Sequence, residues 1–231
     1  MKIIFDHQSA ETDNIFTFYF KTEETISYTP GQFIELRLPH KRPDNRGDIR
    51  WFTLSSSPLE KELSITTRIV KNSSSYKKTL KDLKPGTVLS ITTPMGDFVL
   101  PKILQTKIIL IAGGIGITPY LSMIKYLIET KETRPIHLFY TVNNEGDIIY
   151  NDLFEKYKLP TTIVVNQPTS AWGGERGKLS LNMILGIAEP TDNTLFYISG
   201  PDSMVKDLSE TLEKTIKDHK RIITDFFPGY N

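Results

Sequence analysis

The chain of 231 residues contains no cysteine, which excludes disulfides, cysteine-ligated iron–sulfur clusters and thiolate zinc sites within it. Histidine is scarce. His7, His40, His137 and His219 stand singly, without ligand spacing, so no metal site is expected. Charge of one sign is missing as well: 28 basic and 27 acidic residues leave a net charge of +1, which points to neither nucleic acid nor a membrane surface. The longest apolar run, Ile108–Ala112, is far shorter than the ~20 residues of a bilayer helix, and Met1–Asp6 lacks a signal-peptide layout. The expectation is a cytoplasmic protein without a membrane span. Hydrolase signatures of the G-x-S-x-G and H-E-x-x-H kinds are missing. Gly173–Ser180 imitates a P-loop, but Trp172 stands where the first Gly is required and Leu179 follows the Lys, so ATP binding is not expected. Any redox chemistry would therefore need a bound organic cofactor or an exchangeable metal.

The composition that remains is globular, with 39% hydrophobic and 24% charged residues, and the length suits two domains. Up to about Pro101 the chain reads as short strands: Asn14–Lys21, Gly31–Leu38, Arg50–Ser55, Glu62–Val70 and Thr87–Thr93. Thr29-Pro30-Gly31 and Lys84-Pro85-Gly86 are turn signals between them. This spacing predicts an antiparallel β-barrel or sandwich with one short helix, Tyr76–Leu83. Beyond Pro101 buried strands alternate with helices: Lys107–Ala112, helix Pro119–Thr130, Ile136–Thr141, a helix near Tyr150–Tyr157, Thr161–Asn166, Thr194–Ser199 and a helix from Pro201 to about Lys217. That order predicts an α/β doubly wound, mostly parallel sheet. The expected domains are 1–102 and 103–231.

One junction carries chemistry. Strand Ile108–Ala112 runs into Gly113-Gly114-Ile115-Gly116-Ile117-Thr118-Pro119 and then an amphipathic helix. Glycines let a backbone approach a pyrophosphate, and a helix N-terminus favours its charge. Thr118 reads as the N-cap, with Pro119 at the first helical position. A Gly-rich turn before a helix also forms for packing alone, and G-x-G-x-x-G fails at Pro119, so the loop by itself does not assign a dinucleotide site.

Four motifs taken in order resemble the ferredoxin–NAD(P)H reductase superfamily, in which a flavin-binding barrel precedes a nicotinamide-binding α/β domain. Arg50-Trp51-Phe52-Thr53 resembles its R-x-[Y/F]-[S/T] flavin motif. The resemblance implies that Arg50 pairs with flavin phosphate, Phe52 lies against the isoalloxazine, and Thr53 hydrogen-bonds near its reactive nitrogen, with Trp51 between them. Thr67-Arg68-Ile69 with Ser74-Ser75-Tyr76 resembles the segment holding the diphosphate and adenosine of FAD, which favours FAD over FMN; read alone it is equally a solvated Ser/Lys loop. Gly113, Gly114, Gly116, Thr118 and Pro119 match the G-G-x-G-x-[T/S]-P nicotinamide loop at every position. Ser199-Gly200-Pro201 with Met204 resembles the C-G-P-x-x-M strand end, Ser199 replacing Cys. The C-terminal Asp225-Phe226-Phe227-Pro228-Gly229-Tyr230 resembles the family's acidic–aromatic ending, which implies Asp225 near the reacting centre and Phe227 over the flavin, with Tyr230 a rival stacker.

The implied activity is hydride transfer from NADH or NADPH to FAD, and onward electron transfer to a separate redox protein such as ferredoxin or flavodoxin. The catalytic residues would be Thr53, Ser199, Asp225 and Phe227. Thr141-Val142-Asn143-Asn144-Glu145-Gly146-Asp147 carries two acids and no base, which disfavours an extra phosphate, so NADH is expected to be used at least as well as NADPH. A free-flavin or quinone reductase, and a non-catalytic flavin- or nucleotide-sensing subunit, share the same architecture. The residues set no oligomeric state.

Overall fold

The structure, a computed structural model, describes residues 1–41 and 43–225. It separates into two compact units, one of Met1–Val99 with Thr118–Tyr126 and one of Leu100–Ile117 with Leu127–Asn231.

The first unit holds β1 (Lys2–Ala10), β2 (Ile15–Thr22), β3 (Phe33–Arg37), β4 (Ile49–Thr53), β5 (Leu63–Arg68), helix α1 (Ser75–Lys81) and β6 (Val88–Ile91). The strands form one antiparallel sheet in the order β4-β3-β6-β1-β2-β5. Its two edges meet. Leu54 bridges Ile65, and Ser55 N–H donates to the Ser64 carbonyl at 2.8 Å, so the sheet closes into a barrel and loses its free edges. Alternation fills the interior: Ile34, Leu36, Phe52, Ile65, Phe18 and Phe20 are buried in a single core that also takes Tyr76 and Leu80 from α1. Both Pro-Gly turn signals hold. Gln32 N–H bonds to Thr29 O at 3.1 Å and Thr87 N–H to Lys84 O at 3.0 Å, with Gly31 and Gly86 at φ of +100° and +87°, as type II turns require.

β1 falls outside the strands expected from sequence. Only Ile3 and Phe5 of its nine residues are buried, and a bulge between Phe5 and His7 breaks the alternation, so the strand rests on backbone pairing with β2 and β6 more than on a readable apolar face.

The second unit contains β7 (Ile108–Gly113), β8 (Ile136–Val142), α3 (Asn151–Tyr157), β9 (Thr161–Val165), β10 (Glu175–Arg176), α4 (Leu181–Ala188), β11 (Leu195–Ser199), α5 (Asp202–Thr215) and β12 (Ile222–Asp225). Helix α2 (Thr118–Thr130) begins in the first unit and ends in the second. All pairs in the sheet are parallel, in the order β10-β9-β8-β7-β11-β12. Ile109, Ile111, Phe139 and Ile198 of the strands pack with Ile184, Val205, Leu208 and Leu212 of α4 and α5. From β7 the chain first builds outward through β8 and β9, then returns to add β11 on β7's other side, so the strand order reverses between β7 and β11. In open α/β sheets ligands bind beyond the strand ends at such a switch point. The sequence reading omits β10, α4 and β12: two are very short, and α4 is apolar on nearly every side and lacks a periodic signal.

Candidate cofactor-binding sites

In the first unit the expected flavin residues gather where β4, the end of β5 and α1 meet. Alternation along β4 turns Arg50 and Phe52 to one face and Trp51 to the other. Phe52 is 3% exposed and stacks on Tyr76, with ring centres 6.1 Å apart. The Arg50 guanidinium lies 4.9 Å from the Tyr76 ring centre. Tyr76 itself is wholly buried and donates its hydroxyl to the Leu36 carbonyl at 2.7 Å, so it acts as a post for Phe52 and Arg50. Arg50 also donates to Asp44 Oδ1 at 2.6 Å and to the carbonyls of Arg46, Gly47 and Ile49. Burial pushes the Asp44 carboxyl up, but hydrogen bonds from Arg46 and Arg50 outweigh it and hold the pKa at about 2. Trp51 stands apart: it is exposed, lies beside Phe33 and donates to Glu35 at 2.9 Å.

Thr53 closes β4, buried, opposite Phe33. The segment after it is firmly held. Ser56 O accepts from Tyr28 at 2.9 Å and from buried Ser122 of α2 at 2.6 Å. Across the barrel, Ile69 is a core residue, and the Arg68 carbonyl accepts from Lys77 at 3.0 Å. Thr67 Oγ1 is buried without a hydrogen-bond partner, an atom that a bound polar group would satisfy. Ser74 caps α1 by accepting from Lys77 N–H at 3.4 Å, and Ser75 bonds His40 Nε2 at 3.1 Å. Guanidinium groups, hydroxyls and an aromatic face are a donor set that fits a flavin nucleotide. Asp44 and His40 belong to this group and carried no motif signal, because they come from separate loops.

In the second unit the switch point is built by removing side chains. A Cβ on Gly116 would lie 2.4 Å from the Ser199 carbonyl oxygen and 2.5 Å from Gly200 N. A Cβ on Gly113 would meet the Met204 thioether at 2.6 Å, and one on Gly200 would lie 3.0 Å from Gly113 Cα. The Gly113–Gly116 turn is thus packed directly on Ser199-Gly200-Pro201, drawing the expected nicotinamide residues together. The start of α2 differs from expectation: Thr118 is not the N-cap. Gly114–Ile117 forms a 3₁₀ turn, Ile117 is already helical at φ −67° and ψ −19°, Thr118 opens α2, and Pro119 is its second residue. No side-chain hydrogen bond caps this start, which continues the 3₁₀ turn.

Ser199, at the end of β11, pairs in register with Asp225 of β12 and donates to its Oδ2 at 3.3 Å. Burial pushes the Asp225 carboxyl up to about 7, the Ser199 hydrogen bond opposing it. Beyond β8, Glu145 Oε1 accepts from Thr169 N–H and Oγ1 at 2.7 and 2.8 Å. The P-loop imitation resolves into packing, since a Cβ on Gly174 would strike the Trp172 ring at 2.7 Å, and Glu175–Arg176 pairs with β9. Phe227 and Tyr230 lie outside the described residues. No described helix is long and apolar enough to cross a membrane.

Comparison with known proteins agrees with this division. Residues 2–100 match the family model for an oxidoreductase FAD-binding domain, and residues 110–210 that for an oxidoreductase NAD-binding domain. Flavohemoprotein A of Dictyostelium discoideum is 26% identical over 226 residues, 91% of this chain and 56% of that protein. The glycine betaine monooxygenase reductase subunit of Pseudomonas aeruginosa is 28% identical over 213 residues, 88% of this chain and 57% of its own length. The chain therefore spans little more than half of these relatives. The FAD/NAD-binding domain of nitric oxide dioxygenase from Vibrio cholerae superposes with a TM-score of 0.83 at 20% identity, covering 98% of each chain, a likeness of fold.

Proposed function

Since the chain belongs to the ferredoxin–NAD(P)H reductase superfamily, with its FAD-binding and NAD-binding domains in order, we propose that it is an oxidoreductase that takes a hydride from NAD(P)H and passes electrons to a separate acceptor. One observation carries the reading: an Arg–aromatic–hydroxyl cluster on a closed barrel is followed, in the same chain, by a glycine turn at the switch point of a parallel sheet. Bound FAD would supply the chemistry, accepting the hydride and releasing electrons. The chain's residues bind and orient. Residues 1–102 form the flavin domain. There Arg50, Thr67, Arg68, Ser74 and Ser75 hold the diphosphate end, Phe52 with Tyr76 behind it supports the ring, and Thr53 offers a hydroxyl to it. Residues 103–231 form the nucleotide domain. Gly113, Gly114, Gly116, Thr118 and Pro119 admit the nucleotide's pyrophosphate, while Gly200, Pro201 and Met204 border the nicotinamide. Ser199 and Asp225 form a polar pair at that end, and a carboxyl with a pKa of about 7 holds or yields a proton near neutrality.

The loop beyond β8 carries Glu145 and Asp147 and no base of its own, which supports use of NADH at least as well as NADPH. The reductase-subunit name of the Pseudomonas relative supports a protein acceptor in trans, of ferredoxin, flavodoxin or oxygenase type. The test is anaerobic NADH oxidation by the FAD-loaded protein, with ferredoxin, flavodoxin, free FMN and a quinone offered in turn. Turnover faster with a protein acceptor than with the small molecules supports the proposal. Turnover with free FMN or quinone alone replaces it with the small-molecule reductase, and FAD-loaded protein that oxidises no nucleotide replaces it with a sensing subunit.

A further inference from the structure

Helix α2 leaves the Gly113–Gly116 turn, and its first part, Thr118–Tyr126, belongs to the barrel unit. A hydroxyl inside a helix commonly turns back to a carbonyl one turn earlier. In α5 Ser209 donates to Val205, Thr211 to Asp207 at 2.6 Å and Thr215 to Thr211 at 3.2 Å. Ser122 of α2 does not. Wholly buried, its hydroxyl leaves the helix and donates at 2.6 Å to the carbonyl of Ser56, in the segment that follows Thr53. The same carbonyl accepts from Tyr28 at 2.9 Å, while the Ser56 hydroxyl accepts from Ser64 N–H at 2.9 Å and bonds the Tyr28 hydroxyl at 2.8 Å. A second tie lies one turn on, where Lys125 pairs with Glu60 at 3.3 Å and the same Glu60 oxygen accepts from Ser57 N–H at 2.9 Å. Between them Met123 packs against Gly31, where a Cβ would lie 2.6 Å from its terminal methyl. The barrel is already closed by Leu54 with Ile65 and by Ser55 with Ser64, so the bond from Ser122 adds position to this segment more than closure.

We propose that Ser122 is a positioning residue for hydride transfer: by holding Ser56 it sets where Thr53 stands against the flavin, and it does so from the helix that begins at the nucleotide turn. The inference rests on the reading of the chain as an FAD-dependent NAD(P)H oxidoreductase, in which NADH gives its hydride to bound FAD and leaves as NAD⁺. Ser122 is in neither the diphosphate donor set nor the glycine turn, so affinity for either nucleotide is independent of it. The rate is not, because a misplacement of about 1 Å between reacting groups costs up to about a hundredfold.

The experiment mixes the FAD-loaded full chain anaerobically with a series of NADH concentrations, which separates the limiting rate of flavin reduction from the NADH Kd. FAD affinity, the visible spectrum of bound oxidised FAD and the melting temperature are measured on the same proteins. Ser122→Ala is compared with Tyr28→Phe, which removes the other hydroxyl from the same carbonyl without touching α2, and with Lys125→Met, which removes the outer tie. The expected results for Ser122→Ala are a limiting rate lowered about tenfold and a displaced flavin band, with both Kd values within about twofold of wild type. Lys125→Met should slow reduction by about threefold. Tyr28→Phe should melt lower, as Ser122→Ala does, yet keep the wild-type rate and spectrum. A rate and spectrum unchanged in Ser122→Ala, an equal slowing in Tyr28→Phe, or a slowing matched by weaker FAD or NADH binding would each overturn the assignment. If Ser122→Ala does not fold, an unchanged rate in Lys125→Met overturns it instead. A wild type that holds FAD and is not reduced by NADH overturns the oxidoreductase reading itself.

Discussion

The two units build their candidate sites by opposite means. On the barrel, the site is made of what side chains reach: Arg50 over Tyr76, Phe52 stacked behind it, and Lys77 donating into Arg68. On the parallel sheet, it is made of what side chains leave open, with Gly113, Gly116 and Gly200 letting two backbone turns touch. A polar cluster tolerates replacement of one member at a graded cost, because the others still reach the ligand. A backbone contact at van der Waals limit tolerates almost nothing.

The largest effect therefore belongs to the glycine turn. Gly116→Ala sets a methyl 2.4 Å from the Ser199 carbonyl oxygen, against the backbone of the Ser199–Gly200 peptide, and is expected to lower stability by about 3 kcal/mol and abolish nucleotide-driven reduction. Gly113→Ala meets side-chain atoms only, the flexible thioether of Met204 at 2.6 Å and the Pro201 ring at 2.9 Å, and should lose less, about 2 kcal/mol. Paired thermal melts check this, and equal losses would break the contrast between backbone and side-chain obstruction. Next, Arg50→Ala should weaken FAD binding by about ten- to a hundredfold through loss of charge-assisted bonds while leaving nucleotide affinity on the other unit unchanged, as read by separate titrations.

A pH-dependent effect concerns Asp225. Its folded pKa, raised from 3.8 to about 7, means that the folded state binds the proton more tightly than the unfolded chain. Stability contributed by this group is therefore full below the unfolded pKa and declines as pH rises toward 7, by up to about 1.4 kcal/mol per pH unit. Asp225→Asn should flatten that segment of the stability–pH curve; an identical curve in wild type and variant would show that Asp225 titrates normally. The most modest change is expected at Glu145: Glu145→Arg, opposite in charge beyond β8, should shift the NADPH-to-NADH ratio of kcat/KM upward by about tenfold, the size of one added phosphate contact. A wild type already strongly selective for NADPH contradicts the assignment of that loop.

The same contrast explains what the sequence discloses. The glycine turn, the Pro-Gly turns and the strand–helix alternation are contiguous and carry their geometry in residue type, so the two-domain fold, the barrel and the parallel sheet are all readable. β1 escapes because its second half has no buried face, and α4 because Asn182 is its only polar side chain. At the sites, Arg50, Phe52 and Ser199 lie in motifs, while Asp44, His40 and Ser122 become partners only when separate strands and helices bring them together. Thr118 shows the limit of local rules: a capping residue in sequence becomes an ordinary first-turn residue because the preceding glycines already coil the chain into a 3₁₀ turn.

The central claim is that this chain holds FAD and reduces it with a nicotinamide nucleotide. An absorbance spectrum of the FAD-supplied protein, recorded anaerobically before and after NADH and then NADPH, tests it most directly. The account predicts visible flavin bands that bleach on mixing, more readily with NADH. Protein that retains neither FAD nor FMN, or a bound flavin that neither nucleotide bleaches, contradicts it.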